Sequence, residues 1–261
     1  MMWKLLLLLV LSAVALAVPF IEPPNRISRK MSERAAKGIW KSLGPGDAVC
    51  FDIDETLRKD NILLEFANWL GVGDFVQKVT NMPFSPTFTH ADSMRLRLSI
   101  MNFTREQYNE FLQLHISTIK EKSSPGARDL ITTLRNKGID VYLVGGGFRE
   151  NADNMGDFLG IPRDHTYSHD LVFDPAGRYK DLDVSGISDG QGNHGKSNLL
   201  RVLKAERQID NLVMIGDSTI DMVACPPANL CIGFGRWNLD PRARAVADWY
   251  LMDMGELLRA L

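Results

Sequence analysis

Apolar residues in this chain recur at two spacings, and the places where one gives way to the other divide it. Residues 30–42 set Met31, Ala35, Ile39 and Trp40 on one helical stripe. A short apolar run at 48–53 then reads as a strand. Between 61 and 122 helical spacing takes over. Segments 62–70, 74–79, 91–101 and 104–120 favour helix without an interior proline, while Pro83 and Pro86 mark a loop. From Ser124 the two spacings alternate. Ser124 reads as an N-cap with Pro125 at the first helical position; Ala127, Leu130, Ile131 and Leu134 form the stripe, and Gly138 closes the helix. Strands are expected at 140–144, 211–215 and 229–232, and helices at 151–159 and 196–207. Strands alternating with helices of this length argue for an α/β fold, a doubly wound parallel sheet covered on both faces. The core is expected from residues 30–60 and 123–261, with 61–122 inserted as a helical cap.

The first twenty residues stand apart from this pattern. Lys4 is followed by a wholly apolar stretch at 5–11, and Ala15-Leu16-Ala17 has the small-x-small form of a cleavage site. The alternative is a signal anchor, but Ser12 and Pro19 break an apolar run already short of the ~20 residues that span a bilayer. The expectation is a cleaved signal peptide over 1–17, a secreted product, and no stable membrane insertion once the leader is gone. Asn102-Phe103-Thr104, the only acceptable N-glycosylation sequon, fits a secreted chain. Net charge is −2, with 45% apolar and 24% charged residues, which gives no reason to expect nucleic acid as a partner. Cys50 and Cys231 lie in apolar strand-like runs and are expected as small core residues; a Cys225–Cys231 bridge in an oxidising compartment is the other reading.

Candidate chemistry gathers at strand ends. Residues 50–57 read Cys-Phe-Asp-Ile-Asp-Glu-Thr-Leu. Strand geometry puts Asp52 and Asp54 on one face, at the carboxyl end where open α/β sheets place ligands. A calcium loop would need a third acid, a glycine and a distant glutamate, which Leu57-Arg58 does not begin to supply. Gly145-Gly146-Gly147 could bring backbone N–H groups close to a phosphate, or serve only a tight turn. Lys196 opens a helix, where it could neutralise phosphoryl charge or be plain solvated surface. Gly216-Asp217 precedes Asp221 by a helical turn, and those oxygen ligands suit Mg²⁺.

Taken in order, Asp-x-Asp-x-Thr, the glycine triplet, the helix-opening lysine and Gly-Asp-x-x-x-Asp resemble the haloacid dehalogenase superfamily of phosphohydrolases. The resemblance extends over about residues 44–258 to its phosphoserine-hydrolysing branch. It is carried by Val49-Cys50-Phe51-Asp52, Asp140-Val141-Tyr142-Leu143-Val144, Gly146-Gly147-Phe148-Arg149, Val213-Met214-Ile215-Gly216-Asp217, Cys225-Pro226-Pro227-Ala228 and Ile232-Gly233-Phe234-Gly235. It implies a haloacid dehalogenase-like core with a helical cap. The implied activity is Mg²⁺-dependent hydrolysis of a small phosphomonoester, phosphoserine, to serine and phosphate, the last step of serine biosynthesis. On that resemblance Asp52 is the nucleophile that forms an aspartyl-phosphate. Asp54 protonates the leaving group and then activates water. Mg²⁺ sits among Asp52, the Asp54 carbonyl and Asp217, with Asp221 supporting. Gly145, Gly146, Gly147 and Lys196 hold the phosphoryl group, and Arg97 receives a carboxylate.

Departures from the family pattern cluster around the substrate. Gly145 stands where the family has a serine hydroxyl. Asn61 stands where it has a glutamate for the substrate ammonium, so that Asp60 could compensate only if the backbone shifts. Ile220 replaces a contacting threonine, and Phe84-Ser85 falls near a methionine-glycine pair. Two other readings follow: a phosphatase of the same mechanism with an altered substrate, or a feebly active phosphate-binding protein.

Overall fold

The computed structural model describes residues 30–82, 88–187 and 195–261. The leader expected at 1–17 and the Phe84-Ser85 pair lie outside the described residues.

A seven-stranded sheet forms the centre of the molecule. Its strands are β1 (Ala48–Phe51), β2 (Asp140–Phe148), β3 (Thr166–Phe173), β4 (Tyr179–Asp183), β5 (Leu212–Gly216), β6 (Leu230–Phe234) and β7 (Trp249–Leu251). They lie in the order β4-β3-β2-β1-β5-β6-β7. All neighbours are parallel except the edge pair β3–β4. β1 has all four residues buried, as a central parallel strand covered on both faces must. Its side chains alternate between two cores. Val49 and Phe51 join Val141, Leu143, Val213 and Ile215 on one face. Ala48 and Cys50 join Tyr142, Val144, Leu212 and Met214 on the other.

The first core is sealed by α1 (Glu33–Ser42) through Ala36 and Trp40, by α7 (Ala127–Asn136) through Leu130, Ile131 and Leu134, and by α8 (Arg149–Leu159) through Ala152 and Met155. The last helix, α12 (Met254–Ala260), adds Leu257, whose carbonyl accepts the Trp40 indole N–H at 2.9 Å. The second core is covered by α9 (Gly195–Glu206), α10 (Thr219–Met222) and α11 (Pro241–Val246), through Leu200, Leu203, Met222 and Ala243.

Between β1 and α7 lie α2 (Ile62–Trp69), α3 (Gly73–Thr80), α4 (His90–Met101), α5 (Arg105–Ser117) and α6 (Ile119–Lys122). They form a third apolar cluster around Phe66, Met94, Leu98, Phe103 and Tyr108, which the strand residues Phe148, Leu171 and Leu182 also enter. Capping boxes at Thr89 and Thr104 fix where α4 and α5 start. No helix among the described residues is long and apolar enough to cross a membrane.

Several expectations need correction. The helix after Ser124 begins at Ala127, capped by Gly126 in the left-handed region (φ 79°), so Ser124 is not its cap. Ser124 is instead buried, donating its hydroxyl to the Thr56 carbonyl and accepting from the Trp237 indole at 2.7 Å. The glycine triplet is no turn, because β2 runs through it to Phe148. β3, β4 and β7 were not legible: Ser168, His169 and Asp170 interrupt the apolar pattern of β3, and β7 is three residues long. Cys231 is buried but not a free thiol. It is bridged to Cys225 with a Cα–Cα separation of 6.1 Å, inside the range a disulfide requires. Cys50 is free and fully buried, and burial pushes its thiol up.

Candidate active site

The sheet's carboxyl edge brings the acidic motifs together. β1 stops at Phe51, and the Asp52 amide donates to the Ile215 carbonyl of β5 at 2.9 Å, so the turn after β1 is pinned to its neighbour. β5 in turn ends at Gly216, putting Asp217 beside Asp52. Asp221 lies at the third position of α10. There its carboxylate accepts the Ser218 N–H at 3.1 Å and hydroxyl at 2.8 Å, a cap that fixes its orientation. A glycine is obligatory at 216, where a Cβ would stand 2.2 Å from the Asp221 carboxyl carbon.

Carboxylate oxygens of Asp52, Asp217 and Asp221, all buried, lie within 4.8 Å of one another. Lys196, from the first turn of α9, donates to Asp52 Oδ1 at 2.5 Å and Asp221 Oδ1 at 2.6 Å. Asp217 accepts from Asn238 at 2.6 Å and from the Thr56 hydroxyl at 3.4 Å. Hard oxygen donors crowded like this fit a small divalent cation.

Electrostatics agree with that fit. Burial raises the Asp52 carboxyl to about 6, with Lys196 opposing and Asp221 adding. Burial, then Asp52 and Asp221, push Asp217 well up. Asp54 is driven well up by burial, then by Asp52, Asp60 and Glu55, and its Oδ1 is buried without a hydrogen-bond partner. Burial works against charge on Lys196, but Asp221 and Asp52 outweigh it and hold the ammonium protonated. Lys196 pairs with Asp52 and Asp221 but, among the described residues, no cation pairs with Asp217, so ionising all three acids leaves more negative charge than the lysine cancels.

The acids open onto a cavity of about 580 Å³. Among the residues expected at the site, Asp52, Asp54, Asn61, Arg97, Gly146, Gly147, Lys196, Asp217 and Ile220 line it; Gly145 and Asp221 do not. Asp221 sits behind Lys196, fully buried. Gly145 faces Ile53: a Cβ there would stand 2.7 Å from Ile53 Cδ1. Gly147 lets the backbone approach Asp54, whose Oδ2 lies 3.3 Å from where a Cβ would be.

Arg97 is buried on α4, donating to the Ser93 carbonyl at 3.2 Å and the Thr80 hydroxyl at 3.4 Å. Burial lowers it to about 10, which still leaves it cationic. Among the described residues no carboxylate pairs with it. Asn61, expected to offer its carbonyl, is otherwise engaged: Oδ1 caps α2 by accepting the Leu64 N–H at 3.2 Å. Asp60 is no substitute. It is held in ion pairs by Arg58 and by Lys122, the latter at 2.5 Å, and does not line the cavity.

A further acid that lines the cavity is Glu55, which sequence reasoning passed over although it sits inside the motif at 50–57; Asp240 lines it too but is paired with Arg242. Glu55 adopts the left-handed region (φ 58°), uncommon for a residue with a side chain. Burial raises its carboxyl, and a hydrogen bond from Asn61 opposes. No cation pairs with it among the described residues. His90, His169 and Asn238 also line the cavity and carried no sequence signal of their own.

Residues 49–224 match the family model of the haloacid dehalogenase-like hydrolases, and the chain belongs to that family. It is 33% identical over 215 residues to a phosphoserine phosphatase of Bos taurus, covering 82% of this chain and 93% of that one. Against the Mus musculus phosphoserine phosphatase it is 32% identical, covering 85% and 96%. A solved phospho-aspartyl intermediate analogue of phosphoserine phosphatase superposes with a TM-score of 0.68 at 24% identity, over 82% of this chain and 98% of that one. The DsGPDH of Dunaliella salina gives 0.73 at 27% identity, with this chain spanning 88% of itself but 38% of that structure. Within its family the chain is thus a phosphoric monoester hydrolase of the phosphoserine phosphatase type.

Proposed function

We propose that the enzyme hydrolyses O-phosphoserine to serine and inorganic phosphate, with Mg²⁺ held by Asp52 and Asp217 and supported by Asp221. The bound cation would offset the repulsion between the Asp52 carboxylate and a phosphoryl dianion. An Asp52 oxygen attacks phosphorus, forming an aspartyl-phosphate as the phosphorus–oxygen ester bond breaks. Asp54, whose pKa is raised by burial and then by Asp52, gives its proton to the leaving serine oxygen. The Asp54 carboxylate then takes a proton from water, and the hydroxide so formed displaces Asp52 from phosphorus. Lys196 and the Gly146–Gly147 backbone steady the phosphoryl oxygens. Helices α2–α6 act as the cap that excludes water.

One observation carries the choice of substrate: the cavity that holds Asp52 also holds a guanidinium and a carboxylate that lack ionic partners among the described residues. Arg97 suits a carboxylate, and Glu55, oriented by Asn61, suits an ammonium. Together they complement the zwitterionic end of an amino acid. Glu55 thereby supplies the charge that Asn61 lacks. Turnover of phosphoserine against phospholactate, its analogue without the amino group, tests this. The native enzyme should prefer phosphoserine, and Glu55→Gln should erase most of the preference, ~10–100-fold, the cost of an unpaired charged group. Equal turnover of the two by the native enzyme would show a substrate without an ammonium.

The leader at 1–17 and the Cys225–Cys231 bridge together support export to an oxidising compartment. Structural disulfides persist there and are rare in the cytosol.

A further inference from the structure

We propose that Asn102 is a modification site carrying one N-linked glycan. This rests on the export reading above, because the sugar donor, a lipid-pyrophosphate-linked oligosaccharide, is met only by chains entering the secretory pathway. In the transfer the Asn102 side-chain nitrogen bonds the anomeric carbon of the oligosaccharide. The bond from that carbon to pyrophosphate breaks, and the amide proton leaves with the lipid pyrophosphate.

Three features of the fold favour this sequon. Asn102 is exposed at the elbow between α4 and α5, where it takes the left-handed conformation (φ 43°, ψ 61°) that asparagine tolerates better than most residues. Its amide side chain makes no hydrogen bond among the described residues, so attaching a sugar there breaks no contact. The two residues that follow secure the elbow instead. Phe103 is buried against Phe66, Phe173 and Tyr179, and the Thr104 hydroxyl caps α5 by accepting the Gln107 N–H at 3.3 Å. The site is also outside the cavity lining: Asn102 lies five residues beyond Arg97, the last residue of α4 that lines the cavity, about 7.5 Å along the axis at 1.5 Å per residue. The disulfide is an independent sign of an oxidising compartment, of which the one where such glycans are added is an example.

The test uses the full chain, native leader included, expressed in a eukaryotic secreting cell. The secreted protein should drop by one step in apparent mass on treatment with peptide-N-glycosidase, leaving aspartate at position 102 in its peptide map. Asn102→Gln should abolish the step and keep phosphatase activity within about twofold, while Thr104→Ser, which preserves sequon and cap, should retain it. Secreted, active protein that shows no step overturns the proposal while leaving export intact. A chain that stays in the cytosol with its leader uncut overturns both.

Discussion

Among the described residues, two groups of side chains place metal-ligating atoms within 4.8 Å of one another: Asp52, Asp217 and Asp221, and Asp60, Glu65 and His115. They meet different cations. In the first, the ion pairs among the described residues come from Lys196, to Asp52 and Asp221. The second is crossed by two cations. Lys122 bridges Asp60 at 2.5 Å and Glu65 at 2.6 Å, while Arg58 pairs with Asp60 and reaches His115 Nδ1 at 3.2 Å. Burial works against the Asp60 carboxylate, but Arg58 and Lys122 outweigh it and hold its pKa down. Burial and then Arg58 lower His115 to about 4, so it stays neutral. Two acids against two bases leave no charge for a metal to answer. The second group is a strap joining the chain before α2 to the chain around α6, where the Lys59 N–H also donates to the Lys122 carbonyl at 2.9 Å. Proximity of ligand atoms does not make a metal site; an unbalanced charge does.

The largest expected effect separates the two groups by activity. Asp52→Asn should lower Mg²⁺-dependent phosphate release at least ~10⁴-fold, since a nucleophile's loss costs most of the rate enhancement. Asp60→Asn should leave the Mg²⁺ requirement of the reaction unchanged. Its effect should appear in stability: Arg58 is fully buried, and breaking such a pair costs about 3 kcal/mol, readable as a lower urea midpoint. If Asp60→Asn abolished the metal response instead, the strap would have to be redrawn as a site.

The same contrast explains what was legible beforehand. Asp52, Asp54, Asp217 and Asp221 announce themselves by their short spacings, although β1 ends at Phe51 and not at residue 53, so that Asp52 and Asp54 lie in the turn beyond it and not on the strand face the spacing predicted. The alternating core of β1, β2 and β5 was legible for the same reason. The substrate side was not. Asn61 was expected to offer its carbonyl, and Asp60 to compensate only with a backbone shift; the fold has Oδ1 of the first spent on a helix cap and the carboxylate of the second spent on Arg58 and Lys122. Glu55 lines the cavity from a left-handed backbone position, which no residue pattern announces. The Cys225–Cys231 bridge likewise depends on a loop geometry the apolar run around Cys231 concealed.

The smallest effect probes the border between these two kinds of residue. A serine at 145 belongs to the family pattern, yet its Cβ would come within 2.7 Å of Ile53 Cδ1 and 3.1 Å of Cγ1. Gly145→Ser alone should therefore fail to raise the rate and should cost ~1–2 kcal/mol of stability, as overpacking does. Ile53→Val removes Cδ1, the nearest obstructing atom, so the serine should fit in that background. The double variant should then turn over phosphoserine faster than Ile53→Val by less than ~10-fold. That gain falls below the ~10²–10³ typical of a lost transition-state donor, because in the proposed mechanism the Gly146 and Gly147 amides already serve the phosphoryl group. A gain from Gly145→Ser alone as large as from the pair would show that Ile53 yields freely, and that the residue between the two aspartates does not set what this site can accept.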